Sequence, residues 1–437
     1  MTRGSWGQLA IPDAAKTAQD DWRFAALPGD GSMLARGWGR SYGDSCINSD
    51  GTHLGTGRLN RFISLDKDSG VLHCEAGLTL DEILQVIVPR GWFLPVIPGT
   101  RFVTLGGALA NDVHGKNHHR AGSFGCHVRS FTLLRSDGRR LRCSAEENTE
   151  LFRATIGGLG LTGLVVSVEI TLVPISSAYM EVQDHTFTSL DEFAALSQAS
   201  QDWDYTVSWI DCFARGDQVC RGIFTRARHA AEGSLYPGRS RPRLGVPFAP
   251  PVSLVNRFTV DWFNRAYFQA GRRRQAPPAA DGFASRRAHY PGFFFPLDAI
   301  DRWNRIYGSR GFYQYQCVLP VEGGYAAMRE LLQLINASGE ASFLAVLKEF
   351  GSRLSPGLLS FPRPGLTLAL DFPNRGEKTL SLLGQFDSVV RAVGGALYPA
   401  KDARMPADLF ASGYPALESF REQVDPAFSS AFWRRVQ

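Results

Sequence analysis

The sequence predicts an α+β fold in two parts, with antiparallel sheets and with helices on one face of the second. Three observations predict it. The first 175 residues alternate short apolar strands with glycine-rich turns. Residues 311–397 read strand-helix-strand-strand-helix-strand, and 437 residues suffice for two ordinary hydrophobic cores. In order, 71–77 is a strand, followed by a helix that opens on a capping box, Thr79 with Glu82, and stops at Pro89-Arg90-Gly91. Residues 92–97 form another strand ended by Pro98-Gly99, 131–142 a hairpin turning at Ser136-Asp137-Gly138, and 164–173 a β-branched strand. Later come strand 311–319, helix 325–335, strands 342–350 and 365–372, helix 379–393, and a final extended piece from Leu397. That is a split βαβ arrangement with helices on one sheet face, leaving the other for something else to cover.

Composition excludes several classes. No apolar run reaches 18 residues, which argues against a membrane span. The start lacks the apolar core of a secretion signal. The seven cysteines are scattered with no C-x-x-C pair, so neither a zinc site nor a disulfide framework is expected, and reduced cytoplasmic thiols are. Charge is uneven. Residues 221–290 hold 13 Arg, no Lys and the three acids Glu232, Asp261 and Asp281, a net of +10 against +5 for the whole chain. Seven prolines make this segment read as loop-rich, and Leu244, Val246, Phe248, Trp262, Phe263, Tyr267 and Phe268 interleave with the arginines. Guanidinium forks suit phosphate and an aromatic collar suits lipid or a base, although a solvated loop has the same composition. The segment has no recognition helix or RNP-like strand, so nucleic acid is not the expected partner.

Two glycine-rich segments, 35–45 and 98–108, have the make-up of a phosphate cradle, since glycine lets backbone N–H groups turn toward anionic oxygens. Arg36 and Arg40 add charge to the first, and Thr104 caps a helix start in the second; each is also what an ordinary turn looks like. A third segment, 158–163, spells G-x-G-x-x-G, but a helix-like run precedes it and a strand follows. A Rossmann fingerprint needs the reverse order, so no nicotinamide site is read there. His114, His118 and His119 invite a metal, yet adjacent His118 and His119 diverge and no carboxylate joins them, so none is assigned. A loop bringing His114 or Lys116 to a reacting centre, or one that is purely structural, remains.

Segments 39–45, 98–107 and 112–119, with Ala121-Gly122-Ser123-Phe124-Gly125 and His127-Val128-Arg129-Ser130, resemble the flavin-binding half of the vanillyl-alcohol-oxidase superfamily. More narrowly, the chain resembles the flavoprotein subunits of decaprenylphosphoryl-ribose 2-epimerases. Gly311-Phe312-Tyr313-Gln314-Tyr315-Gln316, Asp371-Phe372-Pro373 and Ala400-Lys401-Asp402-Ala403-Arg404 carry the likeness almost to the C-terminus, and His114-Gly115-Lys116-Asn117-His118-His119 is its most specific part. Segment 221–290 matches least.

The resemblance implies an FAD domain split between 1–178 and 396–437, enclosing a substrate domain over 179–395. It implies that Arg36, Gly37, Trp38, Gly39, Arg40, Ser41, Tyr42, Gly43, Asp44 and Ser45 wrap FAD. Gly99, Thr104, Leu105, Gly106, Gly107, Asn111 and His114 join them, and Val165 and Tyr398 complete the site. Many superfamily members hold flavin covalently through a histidine in the first loop; Arg40 stands in that slot, so non-covalent FAD is expected. The implied reaction takes hydride from C2 of a polyprenylphosphoryl-ribose onto flavin N5, giving a 2-keto sugar that an NAD(P)H-dependent short-chain reductase partner returns as the arabinose form. Lys401 matches a lysine beside the flavin, with surface lysine as the alternative, and His114 and Tyr42 are the next catalytic candidates.

Gln314, Gln316, Lys348, Thr367, Ala369 and Phe294 match the substrate pocket. Strand alternation agrees independently: Thr367, Ala369 and Asp371 share one face, and Gln314 and Gln316 lie opposite Tyr313, Tyr315 and Cys317. Ala369 stands where actinobacterial members carry cysteine, and Phe294 where they carry tyrosine. The expected location is cytoplasmic, with 221–290 offering peripheral contact with the inner face of the plasma membrane. Competing readings are a soluble alditol or aldonolactone oxidase acting on a free sugar, and a non-catalytic flavin-binding subunit.

Overall fold

A computed structural model describes residues 4–10, 15–29, 31–214, 220–238, 244–275, 278–279, 282–283, 285–340 and 342–437. Parts of the N-terminus and basic segment discussed above (1–3, 239–243, 276–277, 280–281 and 284) lie outside the described residues.

The N-terminal part is built on a five-stranded antiparallel sheet, in spatial order Phe62–Asp66, Val71–Glu75, Leu164–Thr171, Val128–Leu134 and Arg140–Ser144. The capping box forms as its sequence dictates: Glu82 N donates to Thr79 Oγ1 at 3.2 Å, and Thr79 N donates to the Glu82 carboxylate at 2.8 Å. The helix it opens, Leu80–Ile87, buries Leu80, Ile83, Leu84 and Ile87 in the sheet's core. It ends where Gly91 takes φ +79°, the left-handed region glycine enters without steric cost. Strand 92–97 is shorter than expected. Only Trp92–Phe93 pairs, with Val173–Pro174, because Pro95 and Pro98 interrupt the run and bring no N–H to a ladder.

The second sheet has eight antiparallel strands, in spatial order Arg286–His289, Tyr179–Phe187, Gly222–His229, Tyr205–Ile210, Ala345–Phe350, Gly365–Pro373, Phe312–Leu319 and Ala396–Leu397. The expected split βαβ unit is one half of this larger sheet. Helices Val321–Ser338 and Glu377–Ala392 cover one face over a core containing Leu366, Leu368, Leu370, Tyr315 and Cys317. On the other face Gln314 pairs with Asp371, Gln316 with Ala369, and Lys348 with Thr367. The face left bare in the sequence pattern is the one that carries the candidate residues Gln314, Gln316, Lys348, Thr367 and Ala369.

The basic segment is not the loop expected. It contains the strands Gly222–His229 and Arg286–His289 and an 18-residue helix, Arg257–Arg274. Asn256 caps that helix, accepting from Phe258 N and Thr259 N, and its inner face is Val260, Asn264, Phe268 and Gly271. After Leu397 the chain returns to the N-terminal part. Tyr42 N donates to Ala400 O at 3.0 Å and Ala431 N to Ile47 O at 2.7 Å, while Arg435 forms an ion pair with Asp44 at 2.8 Å.

Candidate active site

A cavity of about 810 Å³ separates the bare sheet face from the glycine loops. Of the cradle residues expected from sequence, all except Gly43, Asp44 and Leu105 border it. Those three act behind it. Asp44 accepts both the Nε and an Nη hydrogen bond of Arg435, and Gly43 packs so closely on Asp402 and Ala403 that a Cβ would overlap the tail's backbone. Leu105 is buried in the sheet core. Arg36 also differs from expectation: its guanidinium donates into the frame, to Gly4 O at 2.6 Å and Cys46 O at 3.1 Å, so it braces the loop. The rejected G-x-G-x-x-G lies on a helix-to-strand turn, between Thr149–Thr155 and Leu164–Thr171, yet Leu159, Gly160 and Gly163 supply cavity wall.

The residues present fit FAD. Arg40 Nε and Ser45 Oγ are buried at the cavity wall with no hydrogen-bond partner within the protein, donors that suit an anionic, many-oxygened ligand. Gly37 packs against the Thr104 side chain, where an added Cβ would come to 2.6 Å of Oγ1, so the two loops form one continuous backbone wall. Thr104 is fixed by accepting from Gly107 N at 3.1 Å, and Asn111 by donating to Gly107 O at 2.8 Å. Tyr398, brought in by the tail, donates to Asn111 O at 2.8 Å and stacks on Phe361. Val165 and Tyr398 both border the same space.

The opposite wall is the face of the eight-stranded sheet. Gln314, Gln316, Lys348, Thr367, Ala369 and Phe294 all border the cavity, together with Tyr42, His114 and Lys401. Lys401 Nζ lies 3.9 Å from the centre of the Tyr42 ring. Burial pushes its amine below the ordinary lysine range, and the Asp371 carboxylate opposes that shift. Asp371 is fully buried and accepts from Gln314 Nε2 at 2.5 Å and Tyr307 OH at 3.5 Å.

His114 has Gln316 Nε2 at 2.9 Å from its Nε2 and Lys348 Nζ at 3.1 Å from its Nδ1. Burial, then Lys348, drives its protonation well below the usual range. A neutral imidazole carries one N–H. Burial, and next the positive Lys116, lower Lys348 to about 7.

Lys116 also borders the cavity, lowered to about 7 by burial, with its ammonium over the Phe293 ring at 4.4 Å and donating to Phe293 O. His118 and His119 leave the site: His118 packs 4.3 Å from Phe350, and His119 Nε2 meets Trp203 O at 2.8 Å. Among the described residues no group of three His, Cys, Asp or Glu is placed to hold a metal. Sequence reasoning missed Asp298 at the cavity wall, since nothing local marks it, and it offered Arg274 and Arg286 only collectively, among the arginines of 221–290.

A family model described as an FAD binding domain matches residues 8–144. The chain is 36% identical over 455 aligned residues to decaprenylphosphoryl-beta-D-ribose oxidase of Mycolicibacterium smegmatis, covering 99% of this chain and 96% of that protein. It is 35% identical to an uncharacterised protein of Streptomyces coelicolor, across 82% of this chain and 100% of that one. Mouse L-gulonolactone oxidase is similar over a shorter stretch, 30% identical across 29% of this chain and 28% of its own length.

Proposed function

The chain belongs to the decaprenylphosphoryl-β-D-ribose oxidase family of FAD-binding flavoproteins, and from that premise we propose that it oxidises the C2 hydroxyl of a polyprenylphosphoryl-ribose to the 2-keto sugar. It is an FAD-dependent oxidoreductase. The observation that carries the substrate reading is a cavity with glycine-loop backbone on one side and Gln314, Gln316, Lys348 and Thr367 on the other, with Lys401 and His114 also on its wall. The fold reading is a vanillyl-alcohol-oxidase-like pair of domains, 1–178 with 396–437 around 179–395. The docking of the tail on Asp44 and Ile47 supports it.

FAD, when bound, supplies the hydride acceptor. Everything else falls to the chain. The sheet-face amides of Gln314 and Gln316 and the Thr367 hydroxyl orient the sugar's hydroxyls, and the Lys401 ammonium holds the reacting oxygen and offsets the charge that develops at the centre. Neutral His114, held between Gln316 and Lys348, adds no charge of its own. Phe293 and Phe294 close the wall against water. A short-chain NAD(P)H-dependent reductase is the partner this half-reaction calls for, and 221–290 is the part proposed to meet the membrane. No helix among the described residues is long and apolar enough to cross one.

Anaerobic bleaching of the flavin tests the reading: a detergent-solubilised prenylphosphoryl-ribose should reduce it far faster than free alditols or lactones. Equal rates with free sugars would replace the reading by a soluble oxidase. Arg40 in place of an attaching histidine predicts dissociable FAD, so acid precipitation should leave the yellow colour in the supernatant. Colour retained in the pellet would overturn that.

Ala369 gives a third expectation. It lies on the cavity wall opposite Gln316 with no nucleophile in its side chain, so thiol-directed covalent inhibitors of the cysteine-bearing relatives should leave this enzyme active. Ala369→Cys should become sensitive, with one adduct per chain by mass spectrometry. Stoichiometric inactivation of the unsubstituted enzyme at this pocket would disprove it.

A further inference from the structure

Two solvent-exposed arginines of the basic segment, Arg274 and Arg286, border the cavity. Arg274 is the last residue of helix Arg257–Arg274, and Arg286 the first of edge strand Arg286–His289; both border the cavity beside Tyr267 and Thr225. Arg286 donates through Nε to Asp184 at 3.0 Å, which fixes the side chain while leaving it about half exposed. Its neighbour Arg287 goes elsewhere, stacking on Tyr179 and donating to Glu232 O, as strand alternation requires. Both guanidiniums and the Asp184 carboxylate act on the Tyr267 hydroxyl, so the three lie around one point, two positive charges against one negative.

The same helix has a second feature. Phe258 is 84% exposed and Trp262 74%, one turn apart, and Arg265, Arg272 and Arg273 follow along the exposed side. Just before the helix, Leu244, Phe248, Val252 and Leu254 are also exposed. The inner face is pinned. Asn264 donates to the buried Asp211 at 2.7 Å, and Gly271 lies so close on Ile223 that a Cβ would collide. The helix is therefore a fixed shelf with its aromatic side chains turned outward. Aromatic residues followed by arginine on one exposed stripe are the make-up of a helix lying in a membrane interface, where rings enter the acyl boundary and guanidiniums meet anionic headgroups.

We propose that Arg274 and Arg286 form a phosphate seat at the cavity mouth for a substrate whose apolar chain stays in an anionic membrane surface, against the outer face of helix Arg257–Arg274. This rests on the lipid-linked reading above and extends it to the path by which the substrate arrives. Withdrawing a prenyl chain from a bilayer becomes costlier with each methylene. An enzyme that takes only the sugar into its cavity must bring the mouth to the interface and hold the phosphate there. Arginine suits that task, because its planar fork pairs two phosphate oxygens at once.

Two measurements on the full-length FAD-loaded protein test this. In sedimentation with vesicles, it should bind phosphatidylcholine mixed with phosphatidylglycerol, release with salt, and bind phosphatidylcholine alone weakly. Phe258→Asp with Trp262→Asp should weaken vesicle binding roughly tenfold or more while the flavin spectrum is kept. In calorimetry, farnesyl phosphate, which carries no sugar, should bind the enzyme and bind Arg274→Gln with Arg286→Gln about tenfold or more weaker. Farnesyl phosphate binding both alike, or neither, would overturn the seat, and vesicle binding indifferent to Phe258 and Trp262 would overturn the membrane face, a protein-docking surface then being the better reading of it. Because neither probe contains a sugar, these outcomes are independent of the flavin-bleaching result that tests the substrate itself.

Discussion

Lys401→Ala will leave FAD bound and the chain folded while lowering kcat for sugar oxidation by about 10²–10³-fold, the usual effect of removing one preorganised charge from a reacting centre. The lysine sits in a turn of the tail, with its backbone N–H on Tyr398 O, so its position does not depend on its side chain. The ammonium lies over the Tyr42 ring and is half-buried, with the Asp371 carboxylate acting on it through space. Little stability should therefore go with it. Retained flavin absorbance after gel filtration, with kcat measured at saturating substrate, separates the two effects. A loss under tenfold would remove Lys401 from the mechanism; turnover by the unsubstituted chain, lost in the variant while flavin is retained, would also exclude the non-catalytic-subunit reading.

The parts legible in the sequence were those set by short-range chemistry. The capping box at Thr79 and Glu82 and the stop at Gly91 need only neighbours within one turn, and both formed as read. Alternation along Gly365–Pro373 sorted Thr367 and Ala369 from the leucines, because a strand has a period of two whatever covers it.

Helix Arg257–Arg274 was illegible for the opposite reason. Its buried stripe includes Asn264 and Gly271, one chosen for a hydrogen bond to Asp211 and the other for closeness to Ile223, whereas Phe258 and Trp262 point outward. The hydrophobic period is thereby hidden. In the first glycine loop, motif residues adjacent in sequence face opposite ways: Arg40 and Ser45 toward the cavity, Gly43 and Asp44 toward a tail nearly 400 residues on. No local pattern distinguishes a residue that touches a ligand from one that holds the loop that does.

Asp371→Asn will lower kcat at pH 8 by roughly tenfold and move the alkaline limb of the kcat–pH profile to lower pH by about one unit or more, the ordinary scale for losing an adjacent opposite charge. The sign follows from Lys401. Burial favours its neutral amine, the Asp371 carboxylate favours the ammonium, and the ammonium is the form the proposed mechanism uses. As pH rises through the lysine's titration, activity falls; without the carboxylate that titration comes at lower pH, so the loss begins earlier. Asparagine nearly preserves the shape, and its amide oxygen still accepts from Gln314 Nε2, while Ser342 Oγ still takes the backbone N–H. Asp371 does not line the cavity, so the proposal gives it the part of a positioning residue acting through Lys401. A merely structural role would lower stability and kcat equally at every pH. A profile of unchanged shape, scaled down uniformly, would therefore refute the coupling, and a limb displaced to lower pH with the flavin spectrum intact would carry it.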